Sequence, residues 1–400
     1  MNRILKLIEK QAFMLKNNLT TNLLFILFTL VSGIAYASAD NSAHEESSET
    51  VENHGEHKKK FNAGEFIIHH ISDAHEIHFF TLNEGTETEK HYSISLPVII
   101  KDENGFKMFS ASNFYHSKKD IEVKGSHKHY YIHEDFVMFE EKIYKTAGEA
   151  VIVFNEEGKI ANESVLDLSP TKSIVGMFIT IIILLLVFVS AAKKYKENPN
   201  SAPKGMQGLL EPMILFIRDE VAIPSIGKEK ANKFVPFLLT TFFFIWIANI
   251  LGLVPFLGGF NIMGTLGVTM VLATVILIMT SMNGKSHYWS HIFWPAGVPL
   301  PIKVILVPIE VISIFMKPLV LMIRLTANIT AGHIIILAFT CLIFIFGQQG
   351  AGAGYGVGVG SVLFMVFMYF IELLVAFLQA YVFTLLSAMY FGMALEEPHH

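Results

Sequence analysis

Cysteine is almost missing from this sequence: Cys341 is the single one among 400 residues. No intrachain disulfide is available to staple a fold, and a cysteine-rich metal site is excluded. Charge is scarce in the second half, where residues 173–400 hold 9 acidic and 12 basic side chains. So few charges over so long a stretch do not make a water-facing surface. Basic patches with interleaved aromatics are missing too, which removes nucleic acid as a partner. No internal repeat is visible, and this weakens a reading as a proton-coupled secondary transporter, whose fold is usually built on repeated halves.

What is present falls into two parts. Residues 40–172 carry 25 acidic and 14 basic side chains and 12 of the 17 histidines. A wet, acidic domain is therefore expected ahead of a membrane domain at 173–400. Residues 1–39 read as a cleavable export signal, with Arg3, Lys6, Lys10 and Lys16, an apolar core Leu23–Val31, and small residues Ala35, Ala37 and Ala39 before Asp40. The alternative is an uncleaved first membrane helix, for which the apolar part is short. Export puts the next domain outside the cytoplasmic membrane.

Residues 40–60 are rich in Glu, His, Ser and Lys without apolar periodicity, the composition of a flexible leader. Residues 61–172 hold short β-branched or alternating runs, such as Tyr92–Ile100, Tyr130–Ile132 and Ala150–Phe154. Turn signals at Asp102–Gly105 and Asn155–Gly158 separate them, so a small β-rich domain is expected. Its histidines (His69, His70, His75, His78, His127, His129) match no zinc spacing, and most stand in solvated surroundings; no metal or cofactor is expected.

Five apolar spans follow, at about 173–192, 234–257, 264–282, 302–346 and 361–394. Lys193, Lys194 and Lys196 end the first, which assigns that side to the cytoplasm and the C-terminus with it. Residues 203–231 alternate apolar and charged positions, as an amphipathic helix on the membrane face does. The span 302–346 is roughly 68 Å long as one helix, about twice a hydrocarbon slab, so a long, strongly tilted helix is expected. The glycine-rich stretch Gly347–Gly360 lacks a dinucleotide fingerprint and reads as an uncharged outer hairpin.

The costly residue is Arg324, in the middle of the fourth span. A guanidinium cannot shed its proton, and at bilayer depth it costs at least roughly 2.5–3.5 kcal/mol. At about 100° per residue, Glu310, Ser313, Lys317 and Asn328 all fall within about 40° of it, which makes a polar stripe along one face. His333 comes out on the opposite side, about 13 Å further along the axis. Glu372 and Gln379 share one face of the last helix.

These residues resemble a known pattern. Glu310, Lys317-Pro318, Arg324-Leu-x-x-Asn328, Gly332-His333, Glu372-x6-Gln379 and Asn249-Ile-Leu-Gly252-Leu-Val-Pro255 are similar to subunit a of the F-type ATP synthase over about residues 173–400. The resemblance implies an all-α polytopic membrane protein with about five membrane helices, including a long tilted helical hairpin, to which this chain adds the β-rich extracytoplasmic domain. It implies a non-catalytic stator subunit of the F0 sector in a bacterial inner membrane. Its partners would be the c-subunit ring, the b-subunit stator stalk, the rest of the F0F1 complex and the lipid bilayer. Arg324 would face the ring carboxylate and separate two half-channels, the outer lined by His333, Glu372, Asn328 and Gln379, the inner by Glu310 and Ser313. Lys317 and Asn249 would serve packing. The resemblance leaves H+ or Na+ open as coupling ion.

Two departures stand out. Many bacterial members carry Glu at the position of His333 and His at that of Glu372, so the pair is exchanged here and an acid–imidazole relay is retained. Thr326-Ala327 replaces a more usual Phe-Gly, which bears on packing. Two other classes remain to be weighed: the proton-coupled transporter, and a non-transporting scaffold in which Arg and Glu only hold helices together.

Overall fold

A computed structural model describes residues 63–82, 90–103, 105–115, 117–123, 126–146, 148, 151–155, 160–197, 202–254, 259–295 and 297–397. The expected export signal at 1–39 and leader at 40–60 lie outside the described residues. A strand-rich region comes first and a helical region second.

The first region opens with helix α1 (Ala63–Ile71) and strands β1 (Glu76–Leu82), β2 (Lys90–Ser95), β3 (Pro97–Asp102) and β4 (Gly105–Ser110). The single turn α2 (Ser112–Tyr115) leads to β5 (Lys118–Val123), β6 (Ser126–His133), β7 (Phe136–Phe139) and β8 (Lys142–Lys145), and β9 (Leu166–Asp167) closes it. Pairing is antiparallel throughout, in three sheets of order β1-β2, β4-β3-β9 and β5-β6-β7-β8. The run Tyr92–Ile100 is cut in two at Pro97, which has no N–H for a ladder and so starts a strand. Alternation continues beyond it, with Val98 and Ile100 fully buried against Phe114, Phe136, Met138 and Ile143. Among the described residues of the run Ala150–Phe154, the only pairing is an isolated bridge from Phe154 to Ile160.

The second region contains α3 (Lys172–Glu197), α4 (Met206–Phe216), a π-helical turn at Ile217–Ala222, α5 (Ile223–Ile226), α6 (Ala231–Leu253), α7 (Leu266–Asn283), α8 (Ser286–Phe293), α9 (Leu300–Gln349) and α10 (Ala351–Leu395). Five of these, α3, α6, α7, α9 and α10, are long and apolar enough to cross a membrane. Helix α6 is the hub: Phe242 meets Phe377 and Phe234 meets Phe391 of α10, at ring separations of 5.7 and 5.0 Å. The amphipathic stretch at 203–231 also joins this core. Leu210, Ile214, Ile217, Val221 and Ile226 are buried, whereas Leu209 stays exposed. The bundle itself supplies the apolar partner that the stretch needs.

Helix α9 runs for 50 residues through both Pro308 and Pro318, roughly 75 Å at a helical rise. The glycine-rich stretch differs from the expected hairpin. Helix α10 already begins at Ala351, and the break is confined to Gly350, whose φ of 147° only glycine adopts readily. In an apolar surrounding, backbone groups left outside a helix lack partners, so the helical state wins despite glycine's low propensity.

The two regions are fastened at the start of α3. The Asp73 carboxylate accepts the Ser173 N–H and the Thr171 hydroxyl, each at 2.8 Å. It caps the helix from a hundred residues away, an anion at the positive end of the dipole. Helix α1 lies on α9, with Phe66 6.2 Å from the Phe344 ring.

Candidate functional site

The hairpin of α9 and α10 sets the site. Phe339 stacks on Phe364 at 4.1 Å, the Thr340 hydroxyl reaches the Met365 sulfur at 3.2 Å, and the Glu372 carboxyl lies against Gly332. Continuing that register brings Gln379 level with Arg324.

Glu372 is only 4% exposed, and among the described residues no side chain pairs with its carboxyl. It occupies the space that a side chain at position 332 would take: a Cβ on Gly332 would stand 1.2 Å from Oε1. Only glycine leaves room for an acid there. The next residue, His333, turns toward α6, where its Nε2 lies 3.5 Å from the position of a Cβ on Gly252. Asn249, one turn earlier on α6, donates to the Ala376 carbonyl at 3.3 Å, while its own side-chain oxygen is buried without a partner. The Trp246 indole N–H and the Thr330 hydroxyl are orphaned in the same way. Buried polar atoms left in this way are the kind that ordered water satisfies.

Arg324 and Asn328 sit on the other side of α9 and are exposed, beside the apolar Val320 and Ile323. Arg324 has no ion pair or hydrogen bond among the described residues. Leu374 and Leu378 of α10 are exposed as well. The cation therefore stands on a broad apolar surface that has no cover among the described residues.

A second polar group lies below it. Tyr390, within electrostatic reach of Arg324, has its ring 5.9 Å from the Lys317 ammonium. Lys317, Tyr390, Thr280 and Tyr288 line a cavity of about 20 Å³, enough for one water. The Thr280 hydroxyl is buried with no partner among the described residues. Burial raises the pKa of the Tyr288 phenol, and the half-buried Glu310 adds to the shift. Ser313 is half-buried nearby on α9, and Gln379 half-buried on α10.

The structure thus brings Glu372, Gly332 and the Gly252 side of His333 together, and leaves Arg324 and Asn328 facing outward. Thr280, Tyr288 and Tyr390 escape a sequence reading because isolated hydroxyls on apolar helices carry no periodic signal. Thr326 and Thr269 join their hydroxyls at 2.7 Å, a polar clasp between α9 and α7.

Comparison with known proteins gives the family. The family described as ATP synthase A chain matches residues 174–392, and a domain of unknown function, DUF8433, matches 66–168. The chain belongs to the family of F-type ATP synthase subunit a. It is 41% identical over 239 residues to ATP synthase subunit a of Chloroherpeton thalassium, a match covering 58% of this chain and 69% of that one. Similarity to the subunit a of Chlorobium phaeobacteroides is 40% over 240 residues (58% and 67%), and to that of Myxococcus xanthus 39% over 241 residues (59% and 76%). Every candidate residue from Asn249 to Gln379 lies inside the family match, and the strand-rich region lies outside it. The chain is a multi-pass membrane protein with the proton-translocating role of the F0 sector.

Proposed function

We propose that this chain is the stator through which protons pass to and from the carboxylates of a c-subunit ring, by two half-channels that end on opposite sides of Arg324. The observation that carries the reading is the outward-facing Arg324, unpaired and on an uncovered apolar face among the described residues, with a buried Glu372, likewise unpaired among them, on the opposite side of the same hairpin. A guanidinium held in the membrane without an anion of its own fits a partner that arrives and leaves.

The chemistry follows from charge. A fixed cation favours the ionised form of an approaching carboxyl, so a ring carboxyl gives up its proton before passing Arg324 and reloads beyond it. The same charge keeps a proton from hopping directly between the half-channels. His333 and Glu372, with Asn328 and Gln379, serve the outer path; Glu310 and Ser313, with the Thr280–Tyr390 cavity, serve the inner one. Lys317 and Asn249 hold the helices that carry them. Each proton contributes about 2.3 kcal/mol per 100 mV of membrane potential, and ring rotation carries that work to ATP synthesis in the rest of the complex.

The layout follows the same reading. Residues 1–39 form the export signal and 40–60 a leader. The 61–172 domain stands in the periplasm, 173–400 is the channel domain in the inner membrane with a steeply tilted hairpin, and the C-terminus is cytoplasmic. The c ring covers the Arg324 face, and the b-subunit stalk holds the chain against rotation. Arg324→Ala is expected to abolish proton-driven ATP synthesis in membrane vesicles while the complex still assembles; retained coupling would overturn the proposal.

A further inference from the structure

The outer face of the β4-β3-β9 sheet is apolar where water would favour polar side chains. Antiparallel partners share a face, so the register builds it row by row. One row is Lys101 between Phe106 and Leu166. The next is Ile99 between Met108 and Leu168, whose N–H donates to the Ile99 carbonyl at 2.8 Å. Phe106 is 69% exposed and Met108 71%, and Leu166 and Leu168 are exposed as well. The intervening Val98 and Ile100 are fully buried in the domain's own core, so the outer rows are surplus to it. An antiparallel sheet ordinarily turns polar residues to its solvated side. Apolar side chains gathered there mark a surface that meets something other than water.

The occupant follows from where the sheet ends. Strand β9 leads directly into α3, and Leu168 stands at most about 14 Å of chain from Lys172, the first residue of that helix. The exposed Lys193 and Lys194 hold the other end of α3 at a headgroup layer. Ser173 lies about 20 residues before them, or about 30 Å of helix, which is one hydrocarbon thickness. The start of α3 is therefore at the opposite boundary, and the sheet stands at headgroup level. It is also fastened there. Asp73 caps α3, the Lys172 N–H donates to the Ala74 carbonyl at 3.0 Å, and the Lys172 ammonium donates to the His70 carbonyl at 3.2 Å. Charge agrees with a lipid neighbour. Lys101 is the one charged side chain in the two rows, with its ammonium 5.7 Å from the Phe106 ring, while the acids Asp102 and Glu103 stand at the turn, the end of the sheet away from α3. An apolar stem with a cationic tip suits the phosphates of a headgroup layer.

We propose that this face rests on the lipid leaflet on the strand-rich domain's side of the membrane. Phe106, Met108, Leu166 and Leu168 enter the boundary between headgroups and acyl chains, and Lys101 reaches the phosphates. The domain is then a foot on the bilayer, and the chain's contact with lipid extends beyond its helices. The inference asks only that α3 crosses the membrane, so it stands apart from the half-channel reading.

The test uses the complete complex in vesicles of phosphatidylethanolamine and phosphatidylglycerol, with the photoreactive p-benzoylphenylalanine placed singly at the position of Phe106, Met108 or Leu166. Three exposed positions are used so that the test stands when one variant does not assemble. Lys119, exposed on β5 at the edge of the sheet on the other side of the core, is the control position. After illumination, mass spectrometry of the chain is expected to show phospholipid adducts at the three face positions and none at Lys119. Adducts to protein at the face positions overturn the inference and make the face a subunit or self-contact. A probe consumed there without lipid overturns it too, because the face is then wet. So does equal lipid adduct at Lys119, which reports collision and no docked face.

Discussion

The two regions differ in how fully they match their buried polar groups. In the strand-rich domain most are matched, the exceptions among the described residues being the Tyr115 hydroxyl and His75 Nδ1, which has an ion-pair neighbour and no hydrogen bond. His75 lies between Asp167 and Glu141, and Asn162 donates to the Lys145 and Val151 carbonyls at 2.8 and 2.9 Å while accepting from Val153. Asp73 accepts two hydrogen bonds at the junction. In the membrane region Glu372 and Arg324 have no described partner, and Asn249, Thr280 and Thr330 each leave an oxygen unused. A matched buried group stabilises one structure; an unmatched one costs free energy in the resting state and is retained where its partner is transient. Substitutions should therefore cost stability in the first region and transport in the second.

The largest effect is expected from Glu372→Gln, which keeps shape and removes the titrating proton. Proton-driven ATP synthesis should fall by about 10²-fold or more, in line with loss of a proton-transferring side chain. The amount of assembled complex should not change, and a loss of assembly would place Glu372 with the matched groups. Gly332→Ala comes next. A methyl group has no space beside the Glu372 carboxyl, so conduction should drop by about tenfold as the acid is displaced, with about 1–3 kcal/mol of strain. Unchanged conduction would mean that the hairpin opens at no cost.

His75→Ala probes the other side. It leaves Asp167 and Glu141 facing each other and should destabilise the strand-rich domain by about 3 kcal/mol, seen as faster proteolysis of that domain in the intact complex. The wild-type domain has a pH signature of its own. Burial alone lowers the His75 pKa, but the hydrogen bond that its Nε2–H donates to Asp167 and the two acidic neighbours outweigh it and raise it from 6.5 to about 9. Because the folded value is the higher one, this stabilisation is complete below pH 6.5 and is lost as pH rises toward 9. Asp167 is shifted the other way: burial opposes the shift, yet the His75 partner lowers it, so its contribution disappears only in acid. Proteolysis of the parent should accelerate between about pH 6.5 and 9, and His75→Gln should flatten that rise. The smallest effect belongs to the exposed Lys193–Glu197 pair, 3.9 Å apart, where Glu197→Ala should change neither property by more than about 0.5 kcal/mol.

Much of the membrane region is legible in the sequence because one physical variable, the apolar run, fixes where helices lie. The stripe through Glu310, Ser313, Lys317, Arg324 and Asn328 needs only a helical period, and His333 on the reverse of Arg324 follows from the same count. Periodicity cannot say which helix covers which face. Nothing near Gly332 announces that its missing side chain makes room for Glu372, forty residues away. The same limit hides Asp73 and Lys172, since a cap supplied across a hundred residues leaves no local pattern. The glycines at 351–360 mislead for a related reason: their usual preference for turns is measured in water, and an apolar surrounding reverses the balance.

The one-residue connection at Gly350 has a further consequence. Helices of 50 and 45 residues that meet with no slack keep a fixed phase, so the length of the turn decides what faces what many residues away. Adding one residue there would advance α10 by about 1.5 Å and turn it by about 100°, carrying Glu372 off Gly332 and Gln379 off the level of Arg324 together. The alignment of Glu372 and Gln379 with α9 is in that sense counted from the tip of the hairpin. A reporter tag placed in this glycine stretch would dephase the machine it was meant to map.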